Sequence, residues 1–420
     1  MKKLFITLIA FAVLLMLIPD SSNAIPAFAR KYGFNCNMCH TSFTKLNDFG
    51  QRYRDFGYQM PGQAAMEKNV FDTPPPLALR TSVGMVASHH KKNETSSFGI
   101  LGLDLLAAGV LHKNISFLMI YTPRIDEPAG TYEGPQNGAN PSQTGALESA
   151  SIVFSNLVTD ALNVRIGRFE PAYHAISSKR SYYLLQGYEI YGFVPTQSNS
   201  FSFDDNQIGL ELTGHLKNGF HYAAGLINGT GANPDNNKQK DLYADIYQVC
   251  GHGEGQSAGY RVGAFGYLGW QPLTVPGGYE GPIGETNGIH NKKFYRLGGD
   301  ISLNYKTFNL RTLLLFGGDD KSFNDLKPTE EYKYSGGIIE LDYAGLMNNR
   351  LMASALYNWV SPPSYDNARK LWAFSALVRY YLGDWTAVNV ALHAEYTHRQ
   401  TGDDAPLKED NLGLLLDFAF

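Results

Sequence analysis

The strongest structural signal in the chain is the stretch Val388-Asn389-Val390-Ala391-Leu392-His393-Ala394-Glu395-Tyr396-Thr397. Its even-numbered residues are apolar, whereas most of its odd-numbered residues are polar. A period of two is typical of a β-strand, because successive side chains point to opposite faces of a sheet. A face that carries His, Glu and Asn is poorly suited to a packed core but suits the wet lumen of a transmembrane β-barrel. The stretch therefore predicts a barrel strand whose polar face points inward.

The same alternation recurs in sixteen segments between residue 77 and the C-terminus. Their connections alternate between short turns, such as Lys217-Asn218 and Gly383-Asp384, and longer loops at 124–145, 171–204 and 270–292. Short periplasmic turns, long external loops and an even number of strands are typical of outer-membrane barrels. The sequence thus predicts an all-β transmembrane barrel of sixteen antiparallel strands. The segments are 78–90, 97–111, 114–123, 146–157, 161–170, 205–216, 219–228, 241–250, 258–269, 293–305, 307–317, 332–344, 348–359, 370–382, 385–397 and 410–420.

The composition favours a membrane barrel over the alternative of a secreted, soluble all-β protein. The chain has 26 Tyr, 24 Phe and 43 Gly among 420 residues, and 18% of its residues are charged. Outer-membrane barrels carry aromatic girdles at both membrane interfaces. After Ile18 no stretch approaches the ~20 apolar residues of a membrane helix, which excludes an α-helical membrane protein. The C-terminal Phe420 resembles the signal by which outer-membrane proteins are recognised for insertion. A net charge of −4 gives no reason to expect a nucleic-acid partner.

The N-terminus has the features of a secretory signal peptide, which we assign to residues 1–24. Lys2 and Lys3 precede an apolar stretch, and Ser22-Asn23-Ala24 forms a small-residue cleavage site. A small domain is predicted at 25–60 and a linker at 61–76, closing with the stiff spacer Pro74-Pro75-Pro76. The barrel then occupies 77–420.

The small domain contains Cys36-Asn37-Met38-Cys39-His40, the C-x-x-C-H pattern of a c-type haem site. In such a site Cys36 and Cys39 form thioethers to one covalently bound haem c, and His40 is the proximal ligand of the iron. The alternatives are a redox dithiol, which should follow a strand in a βαβ unit, and a zinc site, which needs further ligands. The secretory signal favours the haem. The third cysteine, Cys250, is predicted to be a free thiol.

The distal iron ligand is predicted to be Met60. Met66 is a second candidate at a similar distance along the chain, and His393 is a candidate from the barrel. A helix is predicted over Thr44 to Phe56, because apolar residues recur there at helical spacing and would cover the haem. The apolar positions are Leu46, Phe49, Tyr53 and Phe56.

Charged residues at alternating strand positions are predicted to line the lumen, where an Arg could also pair with a haem propionate. The basic ones are Arg165, Arg168, Arg311 and Arg379, and the acidic ones are Asp300, Glu340, Asp342 and Glu395.

The N-terminal residues resemble a known family. Pro26-Ala27-Phe28-Ala29-Arg30, Gly33, the C-x-x-C-H pattern, Leu46, Phe49-Gly50 and Gly57-Tyr58 are similar to the cytochrome domain of the fused monohaem cytochrome c–porins of the bacterial outer membrane. The resemblance is dense over 26–58 and architectural beyond it. That family includes outer-membrane iron oxidases. The resemblance implies a small α-helical cytochrome domain, extracellular Fe(II) as electron donor and a periplasmic cytochrome c as acceptor.

These observations lead to three functional hypotheses. The first is a conduit that carries electrons inward across the outer membrane, a possible Fe(II):cytochrome c oxidoreductase. The second is the same conduit working outward, to an acceptor such as a metal oxide. The third is a solute porin whose haem domain is a gate or sensor. A unit of the size of 25–60 has a radius of gyration of ~9 Å, which would fit the lumen or its periplasmic mouth. Sixteen-strand barrels often form trimers, so a homotrimer is one option.

Overall fold

The computed structural model describes most of the chain. Several sequence predictions fall outside the described residues: the signal peptide predicted at 1–24, Met66, Pro74-Pro75-Pro76, the loop 124–145, Asp384, Asn389 and Phe420. The described residues are 32–42, 44–60, 68, 70, 77–90, 93–123, 146–195, 199, 201–251, 258–273, 291–383, 390–403 and 405–419.

Sixteen antiparallel strands form one closed barrel. Neighbouring strands pair in chain order, and the last strand closes the barrel on the first, with Ala419 opposite Arg80. Every predicted segment overlaps one of these strands, so the predicted barrel is confirmed. The strands are β1 (Leu77–His90), β2 (Asn93–His112), β3 (Ile115–Thr122), β4 (Ala146–Phe154), β5 (Asn163–Phe169), β6 (Gln207–His215), β7 (Phe220–Ile227), β8 (Asp241–Gly251), β9 (Ala258–Pro272), β10 (Asn291–Tyr305), β11 (Phe308–Asp319), β12 (Tyr332–Gly345), β13 (Leu351–Ser361), β14 (Leu371–Tyr381), β15 (Val390–Thr401) and β16 (Leu407–Ala419).

The strand ends differ from the prediction where polar residues continue a ladder. β2 begins at Asn93 instead of residue 97, because Glu94 pairs with His89 across the hairpin. Only residues 91–92 therefore separate β1 from β2, and the predicted alternation of short and long connections fails at this point. We call the end of the barrel at which β1 begins and β16 ends the turn end, and the opposite one the loop end.

The strands alternate inward and outward as their period of two predicts. In β8, Tyr243 and Asp245 are buried, while Leu242 and Ile246 are exposed. The charged side chains predicted for the lumen are buried, with one exception. Arg168 lies three residues after Arg165, on the opposite face of β5, and donates a hydrogen bond to the carbonyl of Glu148. The buried ones are Arg165, Arg311, Arg379, Asp300, Glu340, Asp342 and Glu395.

Residues 170–206 connect β5 to β6. The sequence predicts an external loop at 171–204, and this is wrong for the part that the structure describes. It carries many aromatic side chains that are buried against inward residues of the wall, such as Tyr243 and Phe294. Burying these rings stabilises the inward position more than solvation of a loop would. The buried rings of the loop are Tyr173, Tyr182, Tyr183, Tyr188, Tyr191, Phe201 and Phe203.

Helices are few and short. The N-terminal segment contains a 3-10 helix (Cys36–Met38), a two-strand hairpin (His40–Ser42 with Lys45–Leu46) and the helix α1 (Asp48–Asp55). The remaining elements are a short strand (Leu157–Asp160), α2 (Glu189–Gly192), α3 (Leu346–Asn349) and the 3-10 helices Lys321–Phe323 and Ser364–Arg369. Among the described residues, no helix has the length and apolar character needed to cross a membrane.

Candidate functional site

The C-x-x-C-H motif forms a compact turn. Cys36–Met38 is a 3-10 helix, and the amide of Cys39 donates to the carbonyl of Cys36 at 3.2 Å. His40 follows at once and starts the short hairpin, in which it pairs with Leu46. Neither cysteine of the motif forms a disulfide within the described part of the chain, and Cys36 is buried while Cys39 is half-buried. The turn thus keeps the two thiols and the imidazole close together in space.

Hydrogen bonds of the Asn47 side chain join this turn to helix α1. Its side-chain nitrogen donates to the carbonyls of Asn37 and Met38, both at 3.1 Å. Its side-chain oxygen accepts from the amide of Gly50 at 2.8 Å and caps the helix. Because Asn47 is the N-cap, the helix begins at Asp48 and not at the predicted Thr44.

Gly50 allows the close approach of the helix to the motif. A Cβ atom at this position would lie 2.1 Å from the carbonyl oxygen of Cys39. Any larger residue would therefore push helix α1 away from the motif.

A cavity of about 400 Å³ lies beside the motif, between helix α1 and the wall formed by β1 to β5. The sequence-predicted residues Cys36, Cys39, His40 and Met60 all line it. Its lining is mainly apolar, and its size falls in the range of roughly 300–1,000 Å³ that is usual for sites of small molecules and cofactors. Other lining residues are Leu46, Phe49, Tyr53, Tyr58, Leu79, Leu101, Leu118, Ile120 and Val153.

The polar part of the cavity is rich in cations. Five cations and three carboxylates line it: Arg54, Arg80, Arg165, Lys179 and Arg180, with Asp104, Glu148 and Glu170. A haem needs an apolar slot for its ring, cations for its two propionates, and thiols with an imidazole at one side. The residues present supply all three, so the cavity fits a covalently attached haem.

The Cys39 thiol and the His40 imidazole have shifted pKa values. Burial, together with the neighbouring Cys36, raises the pKa of Cys39 to about 11. A reactive dithiol needs the opposite shift, so the redox-dithiol alternative is disfavoured. Burial lowers the pKa of His40 to about 4, which keeps the imidazole neutral, the form that binds metals.

Lys45 connects the N-terminal segment to the wall. Its ammonium group is buried and lies 2.5 Å from Glu340 and 2.7 Å from Asp342, both inward residues of β12. It also lies 3.8 Å from the centre of the Tyr182 ring, which belongs to the inward loop. Next to it, the hydroxyl of Thr44 donates to the carbonyl of Arg180 at 2.9 Å.

Asp55, the last residue of helix α1, makes the second connection. Its carboxylate lies 2.9 Å from His215 of β6 and 3.3 Å from Arg165 of β5. Phe56 packs on the ring of His215 instead of lining the cavity, so the predicted apolar face reaches the cavity only through Leu46, Phe49 and Tyr53.

Gly57 follows with φ +67°, and a Cβ there would lie 1.8 Å from the hydroxyl of Ser116. The chain can turn this close to β3 only because the residue is glycine.

A second, more polar cavity of about 250 Å³ touches the other side of His40. Arg261, Lys306 and Arg311 line it, from strands and a turn near the turn end of the barrel. His40 is thus the residue of the motif that borders both cavities.

The other sequence candidates lie elsewhere. His393 is buried between Arg379, at 2.9 Å, and Glu395, at 2.9 Å, and does not line the cavity beside the motif. Cys250 pairs with the exposed Tyr260 on the outward face of the barrel. Met66 lies outside the described residues.

Sequence reasoning missed Lys45, Asn47 and Asp55. Lys45 stands among polar residues such as Thr44 and Asn47, so no pattern in the sequence indicates that its charge is buried or identifies its partners.

The barrel resembles solved structures of outer-membrane porins. OprB of Pseudomonas putida matches with a TM-score of 0.55 and 12% identity over 84% of this chain and 95% of that one. An anion-selective porin from Comamonas acidovorans matches with a TM-score of 0.54 and 12% identity, over 82% of this chain and 100% of that one. The trimer form of OmpT from Vibrio cholerae matches with a TM-score of 0.52 and 11% identity, over 82% of this chain and 99% of that one. No family model and no curated protein matches the sequence. The chain therefore has the fold of outer-membrane porins, which supports a location in that membrane.

Proposed function

We propose that this protein is an electron conduit of the outer membrane. In this proposal one haem c, attached to Cys36 and Cys39 and bound through His40, passes electrons from extracellular Fe(II) to a periplasmic cytochrome c. The observation that carries the proposal is the largely apolar cavity that the complete C-x-x-C-H motif and Met60 line together. When bound, a haem iron that cycles between Fe(III) and Fe(II) supplies one-electron transfer.

The residues around the cavity have distinct parts in the proposal. His40, kept neutral by burial, binds the iron, and Met60 is the proposed distal ligand. Arg54 and Arg180 are proposed to pair with the propionates, and the apolar lining excludes water. Exclusion of water and sulfur ligation both affect the reduction potential of such a site.

The contacts of the N-terminal segment support the conduit over an open pore. Lys45 and Asp55 bind inward residues of the wall, and the aromatic loop 170–206 fills lumen space on the other side of the cavity. These groups occupy the path that a solute would take. A route for electrons needs no such open path.

The solute porin is the second candidate, and the structural neighbours favour it. The Comamonas acidovorans protein is described as an anion-selective porin, and another neighbour, DcaP of Acinetobacter baumannii, as an outer-membrane channel. The OmpT structure is a trimer form, which supports the homotrimer as a proposal here as well. A porin would conduct ions freely, whereas the proposed conduit would not.

The first test is covalent attachment. The mature protein should keep its haem through extraction with acidified organic solvent, because thioethers survive this treatment. Cys36→Ala and Cys39→Ala should weaken retention. His40→Ala should leave thioether formation intact but abolish the native iron ligation. Release of the haem from the wild-type protein into the solvent would contradict the proposal.

The second test is electron transfer through the whole protein. Sealed proteoliposomes with cytochrome c inside should show reduction of that cytochrome when Fe(II) is added outside. Cys36→Ala should abolish the reduction without making the vesicles leaky. If no reduction occurs and planar bilayers show large ion currents, the porin is the correct assignment. Reduction by electrons loaded inside, with an external acceptor, would support the outward conduit.

A further inference from the structure

Three potential metal ligands lie close together outside the cavity beside the C-x-x-C-H motif. Asp55 comes from helix α1, His215 from the end of β6 and His221 from the start of β7, and their ligand atoms all lie within 4.8 Å of one another. The two histidines are direct partners in the β6–β7 register, which sets their side chains next to each other on the inward face. All three side chains are buried.

The distances suit first-row divalent metals. The oxygen Oδ2 of Asp55 lies 2.9 Å from Nε2 of His215 and 3.4 Å from Nε2 of His221. With metal–ligand bonds of about 2.0–2.1 Å, neighbouring ligand atoms stand ~3.0 Å apart in octahedral and ~3.4 Å apart in tetrahedral geometry. The third pair, the ligand nitrogens of the two histidines, lies within 4.8 Å. An ion would therefore be bound after the two rings move closer by up to ~1.4 Å.

The two oxygens of the Asp55 carboxylate contact different residues. Oδ1 is held by Arg54 at 3.1 Å and by Arg165 at 3.3 Å, whereas Oδ2 faces the two imidazoles. Hydrogen bonds of this kind orient a metal-binding carboxylate. Burial raises the pKa of Asp55, but Arg54 and the histidines outweigh it and lower the pKa well below its usual value. The carboxylate is thus ionised at neutral pH.

The hydrogen bonding of the buried His221 ring is a second, independent indication of a bound ligand. Both of its ring nitrogens are buried, and neither makes a hydrogen bond of good geometry with the residues that the structure describes. Nε2 has only the 3.4 Å contact with Asp55, which a bound ion would replace. The ring is fixed by stacking on Tyr247, with 4.2 Å between ring centres. Buried polar atoms without partners are unusual, and a bound ion would satisfy one of them.

We propose that Asp55, His215 and His221 bind one divalent transition-metal ion that fastens helix α1 to the barrel wall. Two imidazoles and a carboxylate select metals such as Zn²⁺, Co²⁺ or Fe²⁺ over Mg²⁺ and Ca²⁺, which prefer all-oxygen sites. Three protein ligands leave a further position for water. The ion joins the N-terminal segment to β6 and β7, and this role is independent of the haem.

The experiment uses the full-length protein as purified in detergent, whatever its haem content, and Zn²⁺ alone as the probe. After treatment with EDTA and dialysis against ZnCl₂, the wild-type protein should retain about one zinc ion per chain by elemental mass spectrometry. His221→Ala and His215→Ala should each lose most of this zinc. His398→Ala is the matched control, because His398 also pairs with an aspartate, Asp410 at 2.8 Å, but belongs to no three-ligand group among the described residues.

A second measurement, hydrogen–deuterium exchange, distinguishes the loss of a metal ligand from a failure of the variant to fold. Zn²⁺ should slow hydrogen–deuterium exchange of the α1 amides in the wild-type protein and in His398→Ala, and have no such effect in His221→Ala. Absence of zinc from the wild-type protein, or equal zinc in all variants, would overturn the proposal. Haem content, measured separately on the same samples, reports on the proposed conduit, so the two proposals can fail independently.

Discussion

The ammonium group of Lys45 lies 2.7 Å from the carboxylate of Asp342, although the two residues are 297 positions apart in the chain. Glu340 completes the pair of acceptors at 2.5 Å. Burial lowers the pKa of Lys45, and the two carboxylates oppose this shift. Arg311 of β11 also interacts with both carboxylates. Lys45 and Arg311 together balance Glu340 and Asp342 only while the N-terminal segment lies against β12, so the segment and the wall depend on each other.

The first prediction concerns this contact. Lys45→Met should leave two buried carboxylates, Glu340 and Asp342, beside one cation, Arg311. The uncompensated buried charge costs about 3–5 kcal/mol. The N-terminal segment should then leave its position, and ion conductance in planar bilayers should rise well above that of the wild-type protein.

Lys333→Met is the control for that prediction. Lys333 lies on the same strand but is exposed, and its pair with Glu331 at 3.3 Å is a surface ion pair worth about 0–1 kcal/mol. Adding Asp342→Asn to Lys45→Met should lower the conductance again, because the remaining Glu340 is then balanced by Arg311. Unchanged conductance in Lys45→Met would mean that this contact does not hold the segment.

The second prediction concerns the distal iron ligand. Met60→Ala should lower the midpoint potential of the haem, because thioether ligation raises it. Axial ligands set haem potentials over ~0.8 V, so a decrease on the order of 0.1–0.2 V is expected. Met119→Ala, on the exposed outer face of β3, should leave the potential unchanged. Equal potentials in Met60→Ala and the wild-type protein would exclude Met60 as the ligand.

The barrel could be predicted because its signal is local. The alternation around His393 and Glu395 follows from the two-residue period of a strand, and the structure has both side chains buried on the inward face. The strand ends were harder to predict. Beyond the membrane a ladder can continue through polar pairs such as His89 and Glu94, which no hydrophobic pattern marks.

The candidate site could be predicted only in part. The motif identifies Cys36, Cys39 and His40 by their chemistry, and the cavity brings Met60 to the same place. Contacts such as Asp55 with His215 depend on how the N-terminal segment lies against the wall, and no local pattern carries that information. The inward position of residues 170–206 has a compositional signal in its many tyrosines, but that signal has no period that would indicate where the rings pack.

The third prediction concerns orientation in the membrane. The turn end should face the periplasm, so an epitope tag in the turn at Asn218 or at Gly383-Asp384 should be hidden on intact cells. A tag beside the exposed Leu326 at the loop end, or within 124–145, should be accessible. Permeabilised cells, in which all tags should be labelled, are the control. Equal labelling of both ends on intact cells would show that the orientation is wrong.

The fourth prediction is a loss of stability in acid that depends on Glu170. This residue lies just after β5, with its carboxylate 2.6 Å from Arg180 of the inward loop and 3.7 Å from Arg54 of helix α1. Burial raises the pKa of Glu170, but Arg180 and Arg54 outweigh it and lower the pKa from 4.5 to about 2. The pKa of Glu170 is lower in the folded than in the unfolded protein. Its contribution to the free energy of unfolding is therefore present above pH 4.5 and is lost as the pH falls towards 2.

Proteolysis can measure this loss. Cleavage of residues 170–206 by an acid-active protease should accelerate in the wild-type protein as the pH is lowered through this window. Glu170→Gln should be cleaved faster than the wild-type protein at pH values above the window and should show a weaker acceleration within it, because its amide does not titrate. The exposed Glu330, in the loop after β11, gives the matched control Glu330→Gln, which should follow the wild-type profile. Identical pH profiles for the wild-type protein and Glu170→Gln would show that this carboxylate does not hold the loop.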